Sequence, residues 1–146
     1  MSTTETFPTL SWASVSEGDK VPGPTIPITM RTLMIDVAGT RDLYPIHHDR
    51  EFAKGNGARD IFVNTMFYEA LFGRIATDWA GPEAFLRKLR FAMKSPNCLG
   101  DTITSRGWVV KKYESDGERL LDLEIHLDNQ LGPSATIANL TLQLPG

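Results

Sequence analysis

The chain has 146 residues, 41% of them hydrophobic and 23% charged, with a formal net charge of -3. That length and mixture suit one globular domain whose core needs no disulfide or structural metal, and they exclude a wholly disordered chain. The single cysteine, Cys98, excludes an internal disulfide and a cysteine-rich zinc site, the lack of a Lys/Arg-dense stretch argues against nucleic acid, and no apolar run reaches the length of a membrane span.

Residues 1–11 are rich in Ser and Thr and read as a loose arm. They lack the basic and apolar regions of a signal peptide, so a cytoplasmic protein is expected. Gly18, Pro22, Gly23, Pro24 and Pro27 punctuate the next stretch, and residues 25–30 suit a short extended segment that Pro27 confines to a sheet edge. Thr32 reads as the N-cap of a short helix to about Ala38, ended by Gly39. Asp49 reads as the cap of another, over residues 50–54, ended by Gly55-Asn56-Gly57.

Asn64 is placed to cap a longer helix over residues 65–79. Phe67, Leu71, Ile75 and Trp79 recur every four residues, and Tyr68 and Phe72 widen the stripe. A helix apolar over most of its circumference is wrapped by other structure. The remainder changes period. Residues 85–93 form an irregular strand candidate and residues 101–114 are rich in Thr, Val, Trp and Tyr. Leu121, Leu123, Ile125 and Leu127 alternate with Asp122, Glu124 and His126, and Ala138, Leu140, Leu142 and Leu144 repeat that pattern. Turns are expected at residues 115–118 and 131–133. One long buried helix followed by three or four antiparallel strands predicts an α+β domain, a curved antiparallel sheet wrapped around a central helix. There is no internal repeat, so residues 1–146 read as one domain.

Polar side chains are densest at Thr40-Arg41-Asp42-Leu43-Tyr44-Pro45-Ile46-His47-His48-Asp49. Pro45 makes a turn there, with Asp42 and His47 on either side of it, able to face one another. An Asp and a His in one cleft form an acid/base pair that can hold and activate a water. His47-His48-Asp49 allows a metal reading, which adjacent ligands serve poorly, and no metal is expected. Asp49 is better read as a helix cap and His48 as a packing or surface residue. Cys98, with no basic neighbour in sequence, reads as inert. His126 is expected on the face opposite the leucines of its strand. Arg87, Lys88, Arg90 and Lys94 read as a solvated strand face, with phosphate contact the alternative.

Asp42-Leu-Tyr-Pro45-Ile-His47-His-Asp49-Arg-Glu-Phe-Ala53 resembles the hydratase motif of the MaoC-like (R)-specific enoyl-CoA hydratases, Asp-x-Asn-Pro-x-His-x-Asp followed by a short helix with an Ala. Tyr44 stands where that motif has Asn. The resemblance covers most of the chain. Thr40-Arg-Asp, His-His-Asp-Arg, Asp60-Ile-Phe-Val-Asn64 and Thr77-Asp-Trp-Ala-Gly-Pro82 are similar to the small MaoC-like subunit of actinobacterial steroid side-chain-degrading hydratases.

The resemblance implies a hot-dog fold. It implies that Asp42 and His47 hold the water added across the 2,3 double bond of an enoyl thioester, and that the pair protonates the α-carbon. In the family, a backbone N–H of a His-Gly pair opening the central helix polarises the thioester carbonyl. Asn64-Thr65 occupies that place here, so the Thr65 N–H is the implied donor, since a backbone N–H survives the side-chain change. Tyr44, Asn64, Met66 and Phe67 are the candidate substrate-lining residues, and the apolar stretch Met66-Phe67-Tyr68 is equally suited to line an acyl tunnel or simply to pack. Coenzyme A enters as part of the substrate, with no separate cofactor. The acyl tunnel is implied to lie between two hot-dog chains, in a homodimer or in a heteromer with a different hot-dog partner. A non-catalytic partner subunit and a hot-dog thioesterase are the competing functions; retention of both Asp42 and His47 favours the hydratase.

Overall fold

The alternating leucines build the sheet. In the computed structural model, which describes residues 7–145, strands β1 (Lys20–Val21), β2 (Thr25–Pro27), β3 (Phe85–Met93), β4 (Thr102–Ser115), β5 (Glu118–Asn129) and β6 (Gly132–Leu144) form one antiparallel sheet. The order is β1-β4-β5-β6-β3, with β2 also paired to β4. The β5/β6 register sets Leu121 opposite Leu142, Leu123 opposite Leu140 and Ile125 opposite Ala138, all buried. A one-residue slip would turn this whole set to the outer face, so burial fixes the register.

Three helices complete the fold: α1 (Met30–Thr40), α2 (Arg50–Gly55) and α3 (Thr65–Ala80). Tyr68, Leu71, Phe72, Ile75, Ala76 and Ala80 of α3 are buried in the same cluster as the inner leucines of β5 and β6. Phe72 meets Phe91 of β3 with ring centroids 5.7 Å apart. Helix and sheet thus bury their apolar faces against each other, the dominant favourable term in such a fold.

Two expectations change. Thr29, not Thr32, caps α1. The Thr29 hydroxyl accepts the Thr32 N–H at 3.1 Å, and Thr32 Oγ1 accepts the Thr29 N–H at 3.3 Å. Thr32 is the third-position member of a reciprocal capping box. The helix also runs through Gly39 and ends at Arg41, which takes the left-handed conformation at φ 56°.

The loose arm is the second change. Residues 1–6 lie outside the described part. Beyond them, the Leu10 N–H donates to the Ala80 carbonyl at 2.8 Å and the Glu83 N–H donates to Thr9 Oγ1 at 3.1 Å. Gly81, at φ +94°, makes room for this crossing. A Cβ there would lie 2.5 Å from the Pro8 carbonyl oxygen.

Tyr68 carries the polar load of the core. Its hydroxyl oxygen accepts the Asn97 N–H at 3.2 Å and Asn97 Nδ2–H at 2.8 Å. Burial pushes its phenol above the usual tyrosine range. Tyr68→Phe strands two buried donors and is expected to cost about 1–3 kcal/mol, measured by urea denaturation.

Candidate active site

Two short elements carry the polar motif. Pro45–His47 forms a single 3₁₀ turn after α1, and α2 comes next with Asp49 as its cap, accepting the Phe52 N–H at 3.0 Å. The turn brings His47 Nε2 to 3.3 Å from Asp42 Oδ2. His47 is 7% exposed, and the Asp42 side chain is a quarter exposed. The remaining ring nitrogen, Nδ1, lies 2.7 Å from the Phe62 carbonyl oxygen. A carbonyl only accepts, so Nδ1 carries the hydrogen. In the neutral ring, Nε2 is then bare and faces a carboxylate oxygen. Two acceptors aimed at one place are matched to the two O–H bonds of one water, leaving its lone pairs free for attack.

His48 and Asp49 are engaged elsewhere. His48 Nε2 lies 3.0 Å from the Leu43 carbonyl, and the Asp49 carboxylate is committed to capping α2. The Tyr44 side chain is half exposed and stands edge-on to Phe52, with centroids 5.5 Å apart.

The loop into α3 is bolted down from several sides. Arg50 of α2 grips Asp60 with two bonds of 2.9 and 2.6 Å, which hold the Asp60 carboxyl below the ordinary range. The Phe62 carbonyl is tied to the His47 ring. Asn64 Oδ1 accepts the Phe67 N–H at 3.0 Å, its Nδ2–H donates to Thr40 Oγ1 at 2.7 Å, and its N–H donates to Asp36 Oδ2 at 3.0 Å. The Asn64 side chain is therefore an internal strut, 2% exposed, rather than a substrate-lining group. Capping draws it inward.

Thr65 and Met66 stand at the exposed start of α3. Among the described residues, their N–H groups make no hydrogen bond. Free N–H groups at a helix N-terminus favour an anion or a polarised carbonyl oxygen. Thr65 lies three positions after Phe62, so the His47 anchor and the first free N–H are within about 10 Å along the chain. Phe67 is half-buried and lines a groove of about 290 Å³ with Arg31, Thr32, Ile35 and Asp36. Met66 is partly exposed.

Asp36 and Thr40 were not singled out as site residues from the sequence. Asp36 occupies the inner stripe of α1 beside Leu33 and Val37, where an apolar residue is expected. That break in the helical pattern was the available signal. Burial pushes its carboxyl above the ordinary value, opposed by the Asn64 N–H and by His47, with Asp42 adding to the rise.

The other chemically flagged residues take no part in the pair, although Cys98 is bridged in antiparallel fashion to Phe62. Cys98 is buried, and burial raises its thiol above the usual value. His126 sits outside the leucine face, 2.7 Å from both Glu124 Oε1 and Ser134 Oγ. Arg87 pairs with Glu118 at 3.0 Å.

Residues 15–129 match the family described as MaoC like domain. The 3-oxo-4,17-pregnadiene-20-carboxyl-CoA hydratase beta subunit of Mycobacterium tuberculosis is 36% identical over 106 residues, 72% of this chain and 79% of the relative. Among solved structures, a chain of the ChsH1-ChsH2 complex from Mycobacterium tuberculosis aligns with a TM-score of 0.80 at 30% identity, over 89% of this chain and 98% of that one. The (R)-hydratase from A. caviae involved in PHA biosynthesis aligns with a TM-score of 0.77 at 21% identity, over 90% of this chain and 98% of that one, a likeness of fold.

The His47 geometry fixes a tautomer. Nitrogen-15 NMR of the neutral ring is expected to show the proton on Nδ1 and a bare Nε2. An Nε2-protonated ring would contradict the water-holding geometry.

Proposed function

The chain belongs to the MaoC-like domain family and is a lyase of the enoyl-CoA hydratase type; on that premise we propose that Asp42 and His47 are its acid/base pair and that the Thr65 N–H polarises the thioester carbonyl. The observation that carries the assignment is the His47 Nε2 to Asp42 Oδ2 distance of 3.3 Å, with Nδ1 pinned to Phe62. A water donating to both groups attacks C3 of the 2-enoyl thioester. One of the pair takes its proton, and the electrons of the double bond pass to the thioester oxygen as an enolate. The enolate is stabilised by the free N–H at the start of α3. The pair then returns a proton to the α-carbon, completing a 3-hydroxyacyl-CoA. The addition uses only these protein groups, with coenzyme A as part of the substrate. His47→Ala removes a base held by the fold, and Asp42→Asn removes a charge while keeping the shape.

We propose that the acyl group is bulky, with a steroid side chain the leading candidate. The support is the similarity to the pregnadiene-carboxyl-CoA hydratase subunit. Thr65 bears a side chain at the mouth of the helix, which sets the width available to the acyl chain.

We also propose that a second hot-dog chain completes the site, a different protein being favoured over a second copy. The large concavities lie away from the Asp42–His47 pair: one of about 470 Å³ runs between Pro22–Ile26 and α3, and one of about 620 Å³ runs along residues 7–10 and 77–82. The pair opens to solvent on the Asp42 side, whose side chain is a quarter exposed, and Leu43, next to Asp42 in the chain, is 72% exposed. A large apolar side chain left in solvent next to the pair suits cover by a partner. The neighbour from Mycobacterium tuberculosis is a chain of a two-protein complex.

Asp42→Asn and His47→Ala are each expected to lower hydration of a 2-enoyl-CoA by about a hundredfold or more, with the fold intact by circular dichroism. Wild-type turnover in either variant would sink the assignment. Product analysis is expected to give a 3-hydroxyacyl-CoA and no free thiol.

Thr65→Gly is expected to keep activity and admit bulkier acyl chains. Thr65→Pro deletes the donor and is expected to cost about 3 kcal/mol of transition-state stabilisation. A fully active Thr65→Pro enzyme would show that this N–H is not used.

Sedimentation and turnover of the chain alone, then with candidate hot-dog partners, test the assembly. A fully active monomer would refute it, and an active homodimer would remove the need for a different partner.

A further inference from the structure

We propose that Asp36 is a positioning residue of this site: its carboxylate, by occupying the Asn64 N–H, orients the first turn of α3 so that the Thr65 N–H, with that of Met66 beside it, is offered to the thioester oxygen and the Asn64 N–H is not. The inference rests on the reading of Thr65 as the polarising donor.

Hydrogen bonding assigns the donors of this turn one by one. The Asn64 N–H is taken by Asp36 Oδ2 at 3.0 Å, and the Phe67 N–H is taken by Asn64 Oδ1 at 3.0 Å. Between them the Thr65 and Met66 N–H groups stay free among the described residues. A substrate oxygen arriving at this helix end therefore meets Thr65 and Met66 alone. Without Asp36, the Asn64 N–H becomes a competing donor one residue upstream, and the oxygen can settle out of line with Asp42 and His47. A misplacement of about an ångström is enough to cost a large factor in rate.

The bonds also close a ring. Asn64 Nδ2–H donates to Thr40 Oγ1 at 2.7 Å, and the Thr40 hydroxyl donates back to the Asp36 carbonyl oxygen at 2.6 Å. Asp36 and Thr40 are one turn apart on α1, so two points on a rigid helix hold Asn64 by its backbone and by its side chain. Asp36 is 7% exposed. A carboxylate at such a place is unfavourable unless it is compensated, and the compensation here is a neutral backbone N–H, with no cationic side chain bonded to it among the described residues. Packing alone would be served as well by a compact apolar side chain such as Val, without the charge. The carboxylate's distinguishing contribution is the acceptor it presents to Asn64.

The test compares Asp36→Asn, which keeps an acceptor oxygen, with Asp36→Val, which removes it. The full chain is used, with a partner chain where wild-type turnover requires one. Asp36→Val is expected to lower kcat about 30-fold or more with KM within threefold, and to melt within a few degrees of wild type. Asp36→Asn is expected to keep kcat within threefold. Amide hydrogen exchange gives a readout independent of turnover: Asn64 N–H protection is expected to be lost in Asp36→Val and kept in Asp36→Asn, with the Thr65 amide resonance displaced only in the former. Wild-type kcat in Asp36→Val, an equal loss in both variants, or an Asn64 amide as protected in Asp36→Val as in wild type would overturn the proposal. If the wild-type protein does not hydrate enoyl-CoA at all, the functional reading fails separately, and the exchange data still decide whether Asp36 orders the turn.

Discussion

The short stretch from Phe62 to Asn64 is where the parts of this molecule are tied together. The Phe62 carbonyl holds the His47 ring, and Asn64 is held by Asp36 and Thr40 while capping α3. The proposed catalytic side chains, Asp42 and His47, come from the turn after α1, whereas the free N–H groups come from the start of α3. Nothing in either element alone sets their distance. A helix end tied to a neighbouring helix by hydrogen bonds of 2.7 and 3.0 Å has little freedom to drift, and preorganisation of this kind is what electrostatic catalysis needs.

The hydrophobic core supplies the rigid background for those ties. α3 buries one face along its length against the sheet, with Tyr68 and Phe72 on Phe91 of β3, yet its first residues, Thr65 and Met66, emerge into solvent. One helix therefore serves two demands. Its body satisfies the sheet, and its N-terminus keeps unsatisfied backbone donors where a ligand can reach them.

Local patterns were the legible part of the sequence. The period-two leucines of β5 and β6, the Asn64 and Asp49 caps, and the Asp42–Pro45–His47 turn all involve residues close together in the chain. The ties to Asp36, Thr40 and Phe62 join residues 28, 24 and 15 positions apart, and two of the three use a backbone group. Backbone groups carry no residue-type signature, so no pattern announces them. Asn64 illustrates the ambiguity: an amide at a helix start is equally suited to meet substrate or to cap, and only the long-range partners Asp36 and Thr40 turn it inward. Thr32 shows a smaller form of the same problem, since both members of a capping box are threonines here and sequence alone does not say which is the cap.

The strand order has a consequence for synthesis. β3 precedes β4, β5 and β6 in the chain, yet its sheet partner is β6, the last of them. As the polypeptide leaves the ribosome, residues 85–93 wait, unpaired, for residues 136–143. The β4–β5 hairpin forms early because its contacts are local, while the β3–β6 seam must close a loop of tens of residues before any of its bonds form. A nascent chain that has completed only β5 leaves one side of β5 and both sides of β3 open, each a template for pairing with another chain. β6 enters between them and closes the facing side of each, leaving β3 as the sheet's edge. The strand that seals the sheet is thus an interior one, and the interval before it emerges is when this protein is most exposed to aggregation.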